Sequence, residues 1–181
     1  MSDSLITIVA IFLAAILMFI FPLMSIAERS DDISQLTVQA AVTDFVNTAV
    51  STGKITVEEY DKLVDKIEAT GNTYDIEIEV KVLDENVGKK SAWTQGQVIG
   101  ENNYYSVYTS QIMNYMASME GEGDGVYTMK EGDIISVSVK NNNKTLSQTI
   151  RGIFYSISGN GTYQISAQSS GLVSSNGTNE N

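Results

Sequence analysis

Residues Leu5 to Ala27 read LITIVAIFLAAILMFIFPLMSIA, with no charged side chain and nothing more polar than Thr7 and Ser25. At about 1.5 Å of rise per residue, a helix of this stretch is about 34 Å long, against a hydrocarbon core of about 30 Å. The sequence therefore predicts a transmembrane helix over 5–27, preceded by a short leader, residues 1–4. A cleaved secretory signal has a basic start, a shorter apolar core and a small-residue cleavage site. Met1-Ser2-Asp3-Ser4 has no Lys or Arg, and Ser25-Ile26-Ala27 is a poor cleavage site. A retained anchor is the expectation.

Arg29 is the one basic residue close to this segment. Alone it favours a cytoplasmic C-terminal part under the positive-inside rule, but Glu28, Asp31 and Asp32 surround it. The richness of the remaining chain in Asn, Ser, Thr, Gly and Tyr points to an extracellular head on a single-pass membrane protein.

The formal net charge is −11, and every Lys and Arg and all but one of the 22 acidic residues lie from residue 28 onward. Such a surface lacks the basic footprint that phosphate binding needs, so nucleic acid is not an expected partner. It is also expected to be repelled by anionic lipid headgroups. The sequence has no Cys and no His, which excludes disulfides, thiol chemistry and His-based acid/base catalysis, and leaves zinc without its usual ligands. The length past the anchor suits one domain, residues 28–173.

Past the apolar segment, Leu36, Val38, Val42, Phe45, Val46, Ala49 and Val50 recur at helical spacing with no Gly or Pro between them. They predict an extension over 28–51 that continues the rod, although Ser30, Asp31 or Asp32 offers an N-cap for a second helix. Pro22 removes a backbone hydrogen bond and is expected to kink the rod. Gly53 marks the end of this helix. Thr56-Val57-Glu58-Glu59 then has the form of a capping box, followed by an apolar stripe of Val57, Tyr60, Leu63, Val64 and Ile67. The two helices read as an antiparallel hairpin. Glu58, Asp61, Asp65 and Glu68 form the wet face of the second, with no metal or catalytic role required.

Tyr74 to Leu83, YDIEIEVKVL, alternates apolar and charged residues and predicts a half-buried strand. Ile135, Val137 and Val139 repeat the alternation after a Glu131-Gly132-Asp133 turn. Thr145-Leu146-Ser147-Gln148 is a second capping-box pattern, and Leu146, Ile150, Ile153, Phe154 and Ile157 follow at helical spacing. After a turn at Ser158 to Gly161, a last strand is expected over Thr162 to Gln168 with Tyr163, Ile165 and Ala167 inward. Residues 174–181 are expected to be a disordered tail. The fold class is thus α+β: a long N-terminal transmembrane helix continuing into a small head with a helical hairpin and an antiparallel sheet of three to five strands.

Lys89 to Tyr108, with Trp93 and Tyr104-Tyr105, reads as irregular or short-stranded, and Ile112, Met113, Tyr115, Met116 and Met119 suggest a short helix from about Thr109. A Tyr- and Met-rich stretch suits either core or a docking face. Glu120, Glu122, Asp124 and Glu131, with Gly125 at the sixth position, match the ligand spacing of an EF-hand calcium loop. Glu stands where Asp is usual, Tyr127 occupies an aliphatic position, and a strand follows, so a solvated acidic hairpin loop is the better reading. No nucleophile elbow and no phosphate-cradling Gly loop is present. Accordingly no catalytic, cofactor-binding or metal-ligating residue is assigned, and the chain is not expected to be an enzyme.

The opening apolar helix with Pro22, the segment LTVQAAVTDFVNTAV, the strand YDIEIEVKV, the turn and strand GDIISVSVK and the closing YQISAQSSGLV together resemble type IV pilin-like proteins. The nearest likeness is to the TadE-like subunits of tight-adherence systems. The resemblance implies a non-catalytic subunit of a surface filament or of a secretion or pilus assembly system, held in the bilayer through Leu5 to Ala27. Its partners would be copies of itself or other pilin-like subunits. Family prepilins carry a Gly-ended basic leader and a Glu at the fifth mature position, whereas here Met1 to Ser4 contains no Gly and position 5 is Leu5. The resemblance therefore implies a minor or assembly-type component. The alternative is a monomeric, signal-anchored surface protein whose head binds calcium or an extracellular ligand.

Overall fold

The computed structural model of the chain describes residues 2–84, 104–118, 125–155 and 164–177. A single helix, α1 (Ser2–Thr52), runs for 51 residues through Pro22 and through Ser30-Asp31-Asp32 without a break. At about 1.5 Å per residue it is about 76 Å long. The rod is therefore continuous, as the uninterrupted apolar spacing predicts.

Beyond α1 come β1 (Lys54–Thr56), α2 (Val57–Glu68), β2 (Tyr74–Leu83), β3 (Tyr104–Tyr108) and α3 (Thr109–Ala117). They are followed by β4 (Val126–Thr128), β5 (Ile134–Asn141), α4 (Leu146–Tyr155) and β6 (Ser166–Leu172). Strands β3-β2-β5-β6 form one antiparallel sheet in that order, and β1 pairs with β4 in a second. The class is α+β.

The sheet buries the face that alternation marks out. Ile78 and Val80 of β2 pair with Val137 and Ile135 of β5, and all four are fully buried. Against them lies the C-terminal half of α1, through Val38, Val42, Phe45, Val46 and Ala49. Each such side chain contributes about 1.5–3 kcal/mol by leaving water, so the extension of α1 is the centre of the head's core. Where α1 passes over β6, a Cβ at Gly171 would come 2.6 Å from Val50 Cγ2, so the close approach depends on that glycine.

Helix α2 packs back along α1. Lys66 Nζ meets Asp44 Oδ2 at 2.7 Å, and Ala69 and Thr70 at the helix end lie beside Ile33 and Thr37. The hairpin is antiparallel, but its connection differs from the expected turn. Gly53 turns the chain with φ +67, and the next three residues form β1. Thr56 Oγ1 accepts from the Glu59 amide at 3.2 Å, so half of the expected capping box forms. Leu63 and Ile67 are buried as expected, whereas Val57 is exposed at the start of the helix, where its amide donates to the Gly125 carbonyl. Glu58, Asp61, Asp65 and Glu68 are all exposed.

Helix α3 begins at Thr109 and buries Ile112 and Met116. Strand β6 starts four residues later than the Thr162 start expected; Ile165 and Ala167 are buried, and Tyr163 lies outside the described residues. The expectation of a disordered tail from Ser174 is corrected for residues 174–177. The Ser174 amide donates to the Val50 carbonyl at 3.1 Å, the Gly177 amide to the Met129 carbonyl at 2.9 Å, and Asn176 Oδ1 accepts from the Glu131 amide. These bonds tie residues 174–177 to the last turn of α1 and to the segment between β4 and β5. Residues 178–181, Trp93 and the Ser158–Gly161 turn fall outside the described residues.

Candidate functional site

The two halves of α1 have opposite surroundings. From Leu5 to Ile26 the side chains stand almost entirely exposed, including Phe12, Met18 and Phe19. The first fully buried residue is Ala27, at 2% exposure, and from there Asp31, Ser34, Val38, Ala41 and Val42 continue a buried stripe. The division falls at the boundary between the apolar segment and the charged chain. This part of α1 is long and apolar enough to cross a membrane.

Three contacts between residues remote in sequence fasten the base of the head to α1 just after that boundary. Arg151 of α4 meets Glu28 at 2.7 Å. Thr145 Oγ1 donates to Asp31 Oδ2 at 2.8 Å, with both residues buried. Gln35 grips the backbone of Ser166 twice, its Nε2 donating to the carbonyl at 2.7 Å and its Oε1 accepting from the amide at 3.0 Å. Ser166 opens the edge strand β6, so Gln35 substitutes for a neighbouring strand at one position of that edge.

Thr145 belongs to two structures at once. Its hydroxyl accepts from the Gln148 amide at 3.3 Å while Gln148 Oε1 accepts from the Thr145 amide at 3.2 Å, the full capping box that the sequence predicts for α4. Its proton goes to Asp31. A carboxylate at this place also complements the positive end of the α4 helix dipole.

The strands stand along α1. Ser166 is level with Gln35 and Gly171 with Val46 and Val50, so β6 rises away from the apolar segment, and β5 descends toward it. The opposite, distal end is gathered by Asp133, which is 2% exposed. Its carboxylate accepts from the Leu83 amide at 2.9 Å and the Lys130 amide at 2.8 Å, and its carbonyl accepts from the Val173 amide at 2.8 Å. That carboxylate closes a turn.

Of the five residues in the calcium-like spacing, Glu120, Glu122 and Asp124 lie outside the described residues. Gly125 adopts φ +63 before β4, and Glu131 is exposed in the turn before β5. In the Tyr- and Met-rich stretch, Ile112, Met116 and Met129 are core, Tyr115 and Tyr127 meet edge to face at 5.6 Å, and Tyr104, Tyr105 and Tyr108 remain exposed. Burial raises the Tyr127 phenol to about 12, with the neighbouring Tyr105 and Asp133 adding to the shift.

On the side of α1 turned away from the sheet, apolar exposure does not stop at Ala27. Ile33 is 59% and Leu36 71% exposed, in line with Ile26 at 68%. Arg29 and Asp32 flank them, both exposed.

The chain is thus an α+β head assembled on the second half of a long helix whose first half is a candidate membrane span. No family model, no curated protein and no solved structure matches it.

Proposed function

We propose that this chain is a membrane-anchored, pilin-like subunit that works without catalysis, by self-association through α1, with its head outside the cell. The observation that supports this reading best is the continuity of α1. One continuous helix carries a bare apolar half and a half buried in the head, so whatever binds the first half is joined directly to the second. Bare apolar surface on this scale has to be covered by lipid or by other protein. Before assembly the bilayer covers it; in a filament, sister helices do. Ile33 and Leu36 extend the apolar surface past the span, which favours a helical neighbour there over lipid alone.

Fractionation of the native cells tests the proposal. Recovery of the chain in sheared high-molecular-weight material, and loss of that recovery together with membrane retention in the Ala14→Asp, Leu17→Asp double variant, is the expected result. Recovery solely as a membrane-bound monomer would favour instead a signal-anchored surface protein with a ligand-binding head.

A further inference from the structure

We propose that α4 is a second membrane contact, resting on the lipid interface beside the point where α1 leaves the bilayer. The inference rests on the reading that Leu5 to Ala27 spans a membrane. It starts from the direction of α4. The helix begins at the foot of the sheet, with Thr145 bonded to Asp31, and by Arg151 it has reached Glu28, so it runs down α1 toward the apolar segment. Gly152 lies seven residues past Thr145, about 10 Å further along a helix axis, whereas Asp31 stands only about 6 Å above Ala27. The C-terminal turn of α4 is thereby carried to the level of the last apolar residues of α1.

A separate observation on α1 agrees. Ile20 and Met24 are half-covered, unlike most of their neighbours in the apolar segment. They share the face that carries Ala27 and Asp31, the face on which α4 docks. Exposure on that face therefore begins to fall at Ile20 and Met24, before the charged boundary is reached.

Depth measurement with a single label tests the inference, and the natural absence of cysteine makes single-cysteine labelling clean. Gly152 is exposed, and a Cβ there meets nothing within 4 Å, so Gly152→Cys is compatible with the fold. The variant, carrying an environment-sensitive fluorophore, would be reconstituted into phosphatidylcholine vesicles containing phosphatidylglycerol and spin-labelled lipids. Leu13→Cys reports on the span, and Leu172→Cys on the distal end of β6. The expected result is strong quenching at Leu13→Cys by deep spin labels, quenching at Gly152→Cys by shallow ones several-fold above that at Leu172→Cys, and almost none at Leu172→Cys. Quenching at Leu13→Cys with Gly152→Cys as unquenched as Leu172→Cys would overturn the inference and leave the anchor intact. No quenching at Leu13→Cys would overturn both.

Discussion

Thr145 Oγ1 donates a hydrogen bond to Asp31 across 114 residues of sequence, at 2.8 Å, between two side chains that are both buried. One threonine hydroxyl thus closes the N-terminus of α4 and satisfies a carboxylate on α1. Thr145→Val removes both bonds and leaves a buried carboxylate short of a donor, an expected loss of about 2–4 kcal/mol in denaturant unfolding of the detergent-solubilised chain. Asp31→Asn keeps an acceptor for the hydroxyl and is expected to cost less.

Phe45 and Leu36 separate folding from association. Phe45 is 5% exposed in the core and Leu36 is 71% exposed on the opposite side of the same helix. Phe45→Ala is expected to destabilise the head by about 3–5 kcal/mol. Leu36→Ala should leave the unfolding midpoint within about 0.5 kcal/mol of the parent while lowering the amount of chain recovered in high-molecular-weight material. Equal recovery of the Leu36→Ala variant would remove that residue from the association surface.

Gly53 joins the end of α1 to the end of the chain. Its φ is +67, and a Cβ would fall on the Ser175 carbonyl and the Gly177 amide. Gly53→Ala combines backbone strain with displacement of residues 174–177, for an expected loss of about 2–4 kcal/mol. Faster amide exchange at Ser174 and Gly177 would accompany it.

Alkaline pH acts on Tyr127. Its phenol is half-buried and its pKa is raised to about 12, above the ordinary value of 10.0. The folded state therefore disfavours the phenolate. The corresponding stability is fully present below pH 10 and is lost as pH rises toward 12. Absorbance titration of the phenols is expected to show a late step that Tyr127→Phe removes, together with part of the alkaline loss of stability.

Much of the architecture was legible because it is written in local periods. The α1 extension, the buried face of β2 and β5, and the α4 cap each follow from residues within a few positions of one another. Lys54–Thr56 and Val126–Thr128 were not legible as a paired sheet, because three residues carry no measurable period and each strand is defined by its partner. The same reason hid the order of residues 174–177, whose bonds go to Val50, Met129 and Glu131. At the candidate site, the apolar segment was plain in the sequence. The fastening of Glu28, Asp31 and Gln35 to Arg151, Thr145 and Ser166 was not, since more than a hundred residues separate each pair.

The most direct measurement is the state of the purified 181-residue chain by sedimentation, with detergent present and after its removal. A helix with this much bare apolar surface should stay monodisperse only in detergent or lipid and self-associate once they are withdrawn. A stable monomer in plain buffer, with Leu5 to Ala27 intact by mass spectrometry, would contradict the account.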